Sequence, residues 1–213
     1  MKFFIRVPLL ILVALFLSPP AVFAQGQVFE ADRDPRFALR TNLFYGAYTK
    51  TPNIGVELGL NNRSTIDLGF GYNPWNLDGK KDAQGVVVDN KKLVHLLGQI
   101  EYRYWLCEKF NGHFFGVHAL GSKYNIAAYE LPLLFGEGSK NHRFEGWAAG
   151  AGISYGYQFL LGKHWNIEAN VGVGYVYLEY DKYKCEKCGE LIGPAKRDYL
   201  GPTKATISLL YTF

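Results

Sequence analysis

Leu200-Gly-Pro-Thr-Lys-Ala-Thr-Ile-Ser-Leu-Leu-Tyr-Thr-Phe213 closes the chain on an alternation of period two. Phe213, Tyr211, Leu209, Ile207 and Ala205 share one apolar face, while Thr212, Leu210, Ser208, Thr206 and Lys204 share a mostly polar one. Successive side chains of a strand point to opposite faces, so the stretch reads as a strand with unlike surroundings on its two sides. A soluble sheet edge rarely ends on Tyr-x-Phe. A strand of an outer-membrane barrel does, with apolar side chains toward lipid and aromatics at the interface. Lipid tolerates no open edge, so this closing strand requires an earlier one to pair with it.

The same alternation recurs upstream. Phe37, Leu39, Thr41, Leu43 and Tyr45 predict a first strand with Arg40 and Asn42 on its other face, leading to a loop around Thr49–Asn53. Ile54, Val56, Leu58 and Leu60 oppose Gly55, Glu57 and Gly59; after a tight turn at Asn61–Ser64, Ile66, Leu68, Phe70 and Tyr72 oppose Asp67, Gly69 and Gly71. Leu96, Ile100, Tyr102 and Tyr104 oppose His95, Gln99, Glu101 and Arg103 in a fourth strand, and a fifth near 113–120 turns Phe115, Val117 and Ala119 outward. The sixth, from Trp147 to Phe159, and the seventh, from Trp165 to Tyr177, are the clearest. Connections at 73–92, 121–143 and 181–199 are long, whereas those at 61–64, 107–112 and 161–164 are short. Long connections therefore fall on one side and tight turns on the other. The expectation is an all-β, eight-stranded, antiparallel up-and-down transmembrane β-barrel with its loops outside. A soluble lipocalin-type barrel would bury its apolar face around a ligand and turn more Lys outward; here the polar face is Gly, Ser, Asn and a few charges, which suits a narrow packed interior.

Lys2 and Arg6, the apolar run Val7–Leu17, Pro19-Pro20 and the small residues of Val22-Phe-Ala24 have the form of a secretory signal peptide. The division expected is 1–24 signal peptide, 25–35 polar lead-in and 36–213 barrel domain, placed in the outer membrane of a Gram-negative bacterium. With 23 basic and 19 acidic residues, two of the basic ones in the leader, no concentrated basic face calls for nucleic acid. Aromatics at 16% with 24 glycines suit interfacial belts around a Gly-rich sheet.

Seven charges fall on the inward face: Arg40, Glu57, Asp67, Glu101, Arg103, Glu168 and Lys204. Isolated buried charges are costly, so they must pair, with Arg40 and Glu57 the first couple expected from adjacent inward faces. A narrow gated passage and a filled polar interior both follow from such a set; eight strands leave room only for side chains, which favours the filled one. Cys185-Glu-Lys-Cys188 in the last outer loop reads as a loop-stapling disulfide, because zinc needs two further ligands and a redox pair needs a helix to open. Cys107 lies at the opposite rim. For an outer-leaflet acyl hydrolase or transferase the candidates are His118, Ser122, Glu130, Ser139 and His142, with no pair at same-face spacing on one strand. No metal or cofactor set emerges.

Asn73-Pro-Trp75, Tyr102-Arg-Tyr-Trp-Leu-Cys107, Phe110-Asn-Gly-His-Phe-Phe-Gly116, His118-Ala-Leu-Gly121, Glu145-Gly-Trp147, Gly152-Ile-Ser-Tyr-Gly-Tyr157, Asp181-Lys-Tyr-Lys-Cys185 and Gly201-Pro-Thr-Lys204 carry a resemblance. Together they resemble a Bacteroidetes family of uncharacterised outer-membrane proteins with a domain of unknown function, whose genes often accompany fimbrial subunit genes. The resemblance runs over nearly the whole mature chain. It implies a small outer-membrane barrel with fimbrial or other surface proteins as partners, and brings no catalytic residues. Leu209, Tyr211 and Phe213 are similar in form to the terminal signal that outer-membrane barrels present to their assembly machinery, which that likeness adds as a partner. The functional expectation is a monomeric scaffold of structural or binding class that presents its outer loops, to which the resemblance adds an accessory role in fimbria biogenesis. A lipid-modifying enzyme is the alternative and a narrow pore the second.

Overall fold

A computed structural model describes residues 35–75, 91–129, 131–136, 139–184 and 189–213. Eight strands follow one another in chain order: β1 (Phe37–Asn42), β2 (Asn53–Asn61), β3 (Ser64–Asn73), β4 (Lys92–Trp105), β5 (Gly112–Ala127), β6 (His142–Leu160), β7 (Trp165–Lys184) and β8 (Leu191–Thr212). Each pairs antiparallel with its sequence neighbours, and β8 returns to β1, so one sheet closes in a ring. The closure register sets Ala38 opposite Thr212 and Asn42 opposite Ser208.

Alternation decides which side each residue takes. Leu58, Leu68, Ile100, Val117, Ile153, Val173 and Ile207 are exposed on the outer face. The buried residues between them are Glu57, Asp67, Glu101, His118, Ser154 and Ser208. The fifth strand has the expected phase, with Phe115 and Val117 outside and Phe114 and His118 inside. At the tight-turn end the interior is shut by Trp105, Phe110 and Phe114, with the Trp105 ring in contact with both phenylalanines and with Ala38 and Leu210 beside Phe110. At the opposite end, between β5, β6 and β7, it is apolar: Tyr124, Phe144, Ala148, Val176 and Leu178 pack together. Phe135, from the short helix α2 (Pro132–Phe135) of the β5–β6 connection, stacks on Phe144 at 4.2 Å.

Two expectations about strand limits are corrected. Leu43 and Tyr45 do not continue β1: the chain turns into helix α1 (Leu43–Thr49), because the Asn42 side chain accepts from the Tyr45 N–H at 3.1 Å and caps it. The segment 181–199, expected as a long loop, is mostly strand, with β7 running to Lys184 and β8 starting at Leu191. Across that extension the ladder is held by side chains as well as backbone, Tyr175 donating to Asp198 and Lys184 to Glu190 at 2.9 Å. The β5–β6 connection shrinks likewise, since β5 reaches Ala127 and β6 begins at His142.

Candidate functional site

All seven inward charges meet in one buried cluster. Arg103 is its centre and is fully buried. Its Nη1 donates to Glu57 and to Glu168 at 2.7 Å each, its Nε to Glu101 at 2.7 Å, and its Nη2 to Asp67 at 3.3 Å. Four carboxylates around one guanidinium use a planar fork that lysine lacks. The same guanidinium lies 4.6 Å from the Phe114 ring centre, so the apolar shutter at the tight-turn end is also its floor.

The two remaining cations sit at the edge of the cluster. Arg40 donates through Nε and Nη2 to the two oxygens of Asp67. The expected Arg40–Glu57 couple is not formed: Glu57 is taken by Arg103 and by the Thr65 hydroxyl. Gly55 is the reason. It stands opposite Arg40 in the β1–β2 register, and a Cβ there would lie 2.7 Å from the Arg40 side chain, so the arginine lies flat across β2 and reaches β3 instead. Lys204 donates to Glu101 at 2.8 Å, which also accepts from Ser154 and Asn170.

A cavity of about 240 Å³ opens beside Arg40 and Lys204, between α1 and β8. Tyr45, Asn53, Gln99, Thr203 and Thr206 supply its polar lining. The alternation places Gln99 and Thr206 on the inward face but turns Tyr45 outward and assigns no face to Asn53 or Thr203; only the helix-capping character of Asn42 hints that Tyr45 turns inward. Tyr45 bonds the His95 ring, and Asn53 fixes the cap by accepting from the Asn42 N–H at 2.6 Å.

The acyl-transfer candidates are not brought together. His118 is in the interior, its Nε2 2.8 Å from the Thr203 hydroxyl on a β8 bulge, while Ser122 is half-buried further along β5. Ser139 is buried at the loop end, where its hydroxyl accepts from the Leu131 N–H at 2.7 Å, and His142 opens β6. Glu130 lies outside the described residues, as do Cys185 and Cys188. Cys107 is exposed on the short β4–β5 turn. Among the described residues no group of three or more His, Cys, Asp or Glu side chains is placed to hold a metal ion.

Leu209 and Tyr211 lie on the outer face of β8, and Phe213 stacks on Phe37 across the closure at 4.3 Å and 9°. No curated protein and no solved structure matches the chain. A family model does match, over residues 10–213, and the chain belongs to that family, described as a protein of unknown function (DUF3575).

Proposed function

We propose that the chain is a small outer-membrane protein of structural or binding class. Its eight strands would form an up-and-down barrel that crosses the lipid as a monomer and presents the longer connections on one side. The observation that carries this reading is an inversion of the soluble pattern. Seven charges are buried inside, while Ile54, Leu68, Phe70, Ile100, Val117 and Ile153 are each more than 40% exposed on the outside. Isolated exposed apolar residues need no explanation, but a band of them running round a closed sheet marks a surface made for another phase. Aromatics flank that band at the tight-turn end, where Tyr211 packs edge-on against both Trp165 and Phe213. No described helix is long and apolar enough to cross a membrane, so crossing falls to the strands.

The packed interior favours a scaffold over a conducting pore. Arg103, Trp105, Phe110 and Phe114 fill the section at the tight-turn end, each at most 2% exposed. The work of recognition then falls to the loop end, where Phe135 of the β5–β6 connection is anchored on Phe144 and Tyr180. The test is partition. The protein should float with lipid vesicles, resist extraction by carbonate, and shift in gel mobility on boiling, because a sheet whose strands are paired into a closed ring opens only on heating. Recovery in the soluble fraction with no heat shift would refute the reading.

A further inference from the structure

The geometry points to a binding site for the carboxylate head of a fatty acid in the cavity between α1 and β8, entered sideways through the β1–β8 seam. The sideways entry rests on the membrane reading above; the cavity and its lining do not.

The seam is unequal. β8 has 22 residues, yet only Ser208 to Thr212 pair with β1, which has six. At about 3.3 Å per residue and a tilt of about 40°, six residues rise about 15 Å, short of an apolar band about 25 Å tall. Above Asn42 the flank of β8 is closed by a helix rather than a ladder. That helix turns Leu43 and Phe44 outward, each more than 40% exposed. The ring is thus sealed by hydrogen bonds in its tight-turn half and by the apposition of α1 to β8 in its loop half, along this one line.

Behind the helix, the cavity grades from polar to apolar. Its inner part is lined by Arg40, Lys204, Gln99 and Thr206, and its rim by Phe44, Ile54 and Phe70, which are about half exposed on the outer face. Arg40 and Lys204 are the charged residues of that lining; the four carboxylates turn to Arg103 and line none of it. Asp67 occupies the Nε and Nη2 edge of Arg40, and Glu101 takes one bond from Lys204. A guanidinium carries five N–H donors and an ammonium three, so both keep donors that call for acceptors. The Thr206 hydroxyl, in a residue 8% exposed, has no partner. A ligand rich in acceptors at one end and apolar at the other satisfies all of this: a carboxylate on a hydrocarbon chain. A cavity of about 150 Å³ takes a benzene; this larger one takes the head and first methylenes, with the rest of the chain lying along the rim.

The experiment uses the full mature chain in phospholipid nanodiscs with a diazirine-bearing decanoic acid as probe, and competition by decanoate, decanol and decyltrimethylammonium. Saturable labelling that maps to α1 or to residues 203–206, competed by decanoate at about tenfold lower concentration than by the other two, is expected. Lys204→Gln, which keeps a donor but no charge, should weaken decanoate competition by about tenfold; Thr206→Leu, which fills the polar end without touching a charge, should weaken labelling if Lys204→Gln does not fold. Equal competition by decanol, labelling spread over the outer face, or labelling unchanged in Thr206→Leu would overturn the site. Vesicle flotation of the same preparation separates the two ideas. Flotation without saturable labelling refutes the site alone, and saturable labelling without flotation refutes the membrane reading and leaves a solvent-entered site.

Discussion

Arg40 grips Asp67 with two parallel hydrogen bonds although Glu57 is nearer to it in the strand order. The arrangement depends on what is missing between them. Gly55 on β2 and Gly69 on β3 have no side chains, and a Cβ on Gly69 would sit 3.0 Å from Arg40 Nη2. The guanidinium passes over both positions. This links the Gly-rich inner face to the charge cluster: the glycines provide the space in which long charged side chains lie flat.

Arg40 and Asp67 should therefore be strongly coupled, and Arg40 and Glu57 much less so. Removing one partner of a buried pair leaves an uncompensated charge, a loss of about 3–5 kcal/mol. Arg40→Met with Asp67→Asn should cost less than the sum of the singles by about 0.5–3 kcal/mol, whereas Arg40→Met with Glu57→Gln should come closer to additivity. Urea unfolding of refolded protein in vesicles measures both cycles. Equal couplings would mean that the cluster acts as one unit without preferred pairs.

Gly55→Ala should destabilise by about 1–3 kcal/mol, as overpacking does in a closed interior. Gly98, where an added Cβ meets nothing within 4 Å, is the control and should tolerate alanine. A silent Gly55→Ala would show that Arg40 has another way across β2.

How much of this could be read in advance depends on where the two faces of a strand differ. In β6 and β7 the outer residues meet one environment and the inner residues another, so Trp147–Phe159 and Trp165–Tyr177 announce themselves. Beyond them the contrast fades. Tyr183 and Lys184, or Lys196 and Arg197, give both faces a mixed or polar character, so period two vanishes while the ladder continues through Glu179 opposite Lys196. Helix α1 was hidden for the opposite reason: Leu43 and Tyr45 extend the alternation of β1 in phase, and only Asn42 carries a capping signal. The membership of the charge cluster was legible from parity alone. Its pairing was not, because Gly55 and Gly69 let a side chain skip a strand.

Cys107 lies on a tight turn, exposed, at the end opposite the longer connections. In a variant with Cys185→Ser and Cys188→Ser, a membrane-impermeant maleimide should label Cys107 only after the outer membrane of cells is opened. Labelling in intact cells at the rate seen after opening would reverse the orientation proposed here.

The last contact of the chain is also the first of the closure. The Phe213 ring stacks on Phe37 at 4.3 Å, its N–H donates to the Phe37 carbonyl at 3.0 Å, and its own carbonyl accepts from the Arg36 N–H at 3.2 Å. Thr212, one residue back, faces inward and is tied to the β6–β7 turn, its hydroxyl donating to the His164 carbonyl at 3.2 Å. Phe213→Ser removes an aromatic half exposed on the outer face, a loss of no more than about 1.5–3 kcal/mol. Thr212→Ser keeps the hydroxyl and its bond. Equilibrium stability should thus differ modestly between the two variants. Assembly should differ far more, because a closing strand that fails to dock on β1 leaves both edges open, in lipid a state with no compensation. The measurement is the amount of heat-modifiable protein in outer membranes at equal synthesis, beside urea stability of protein refolded in vitro. A large assembly defect with a small stability defect for Phe213→Ser, and neither for Thr212→Ser, is expected. Matching defects in both assays would reduce Phe213 to an ordinary packing residue, and equal assembly of the two variants would remove its role in closure.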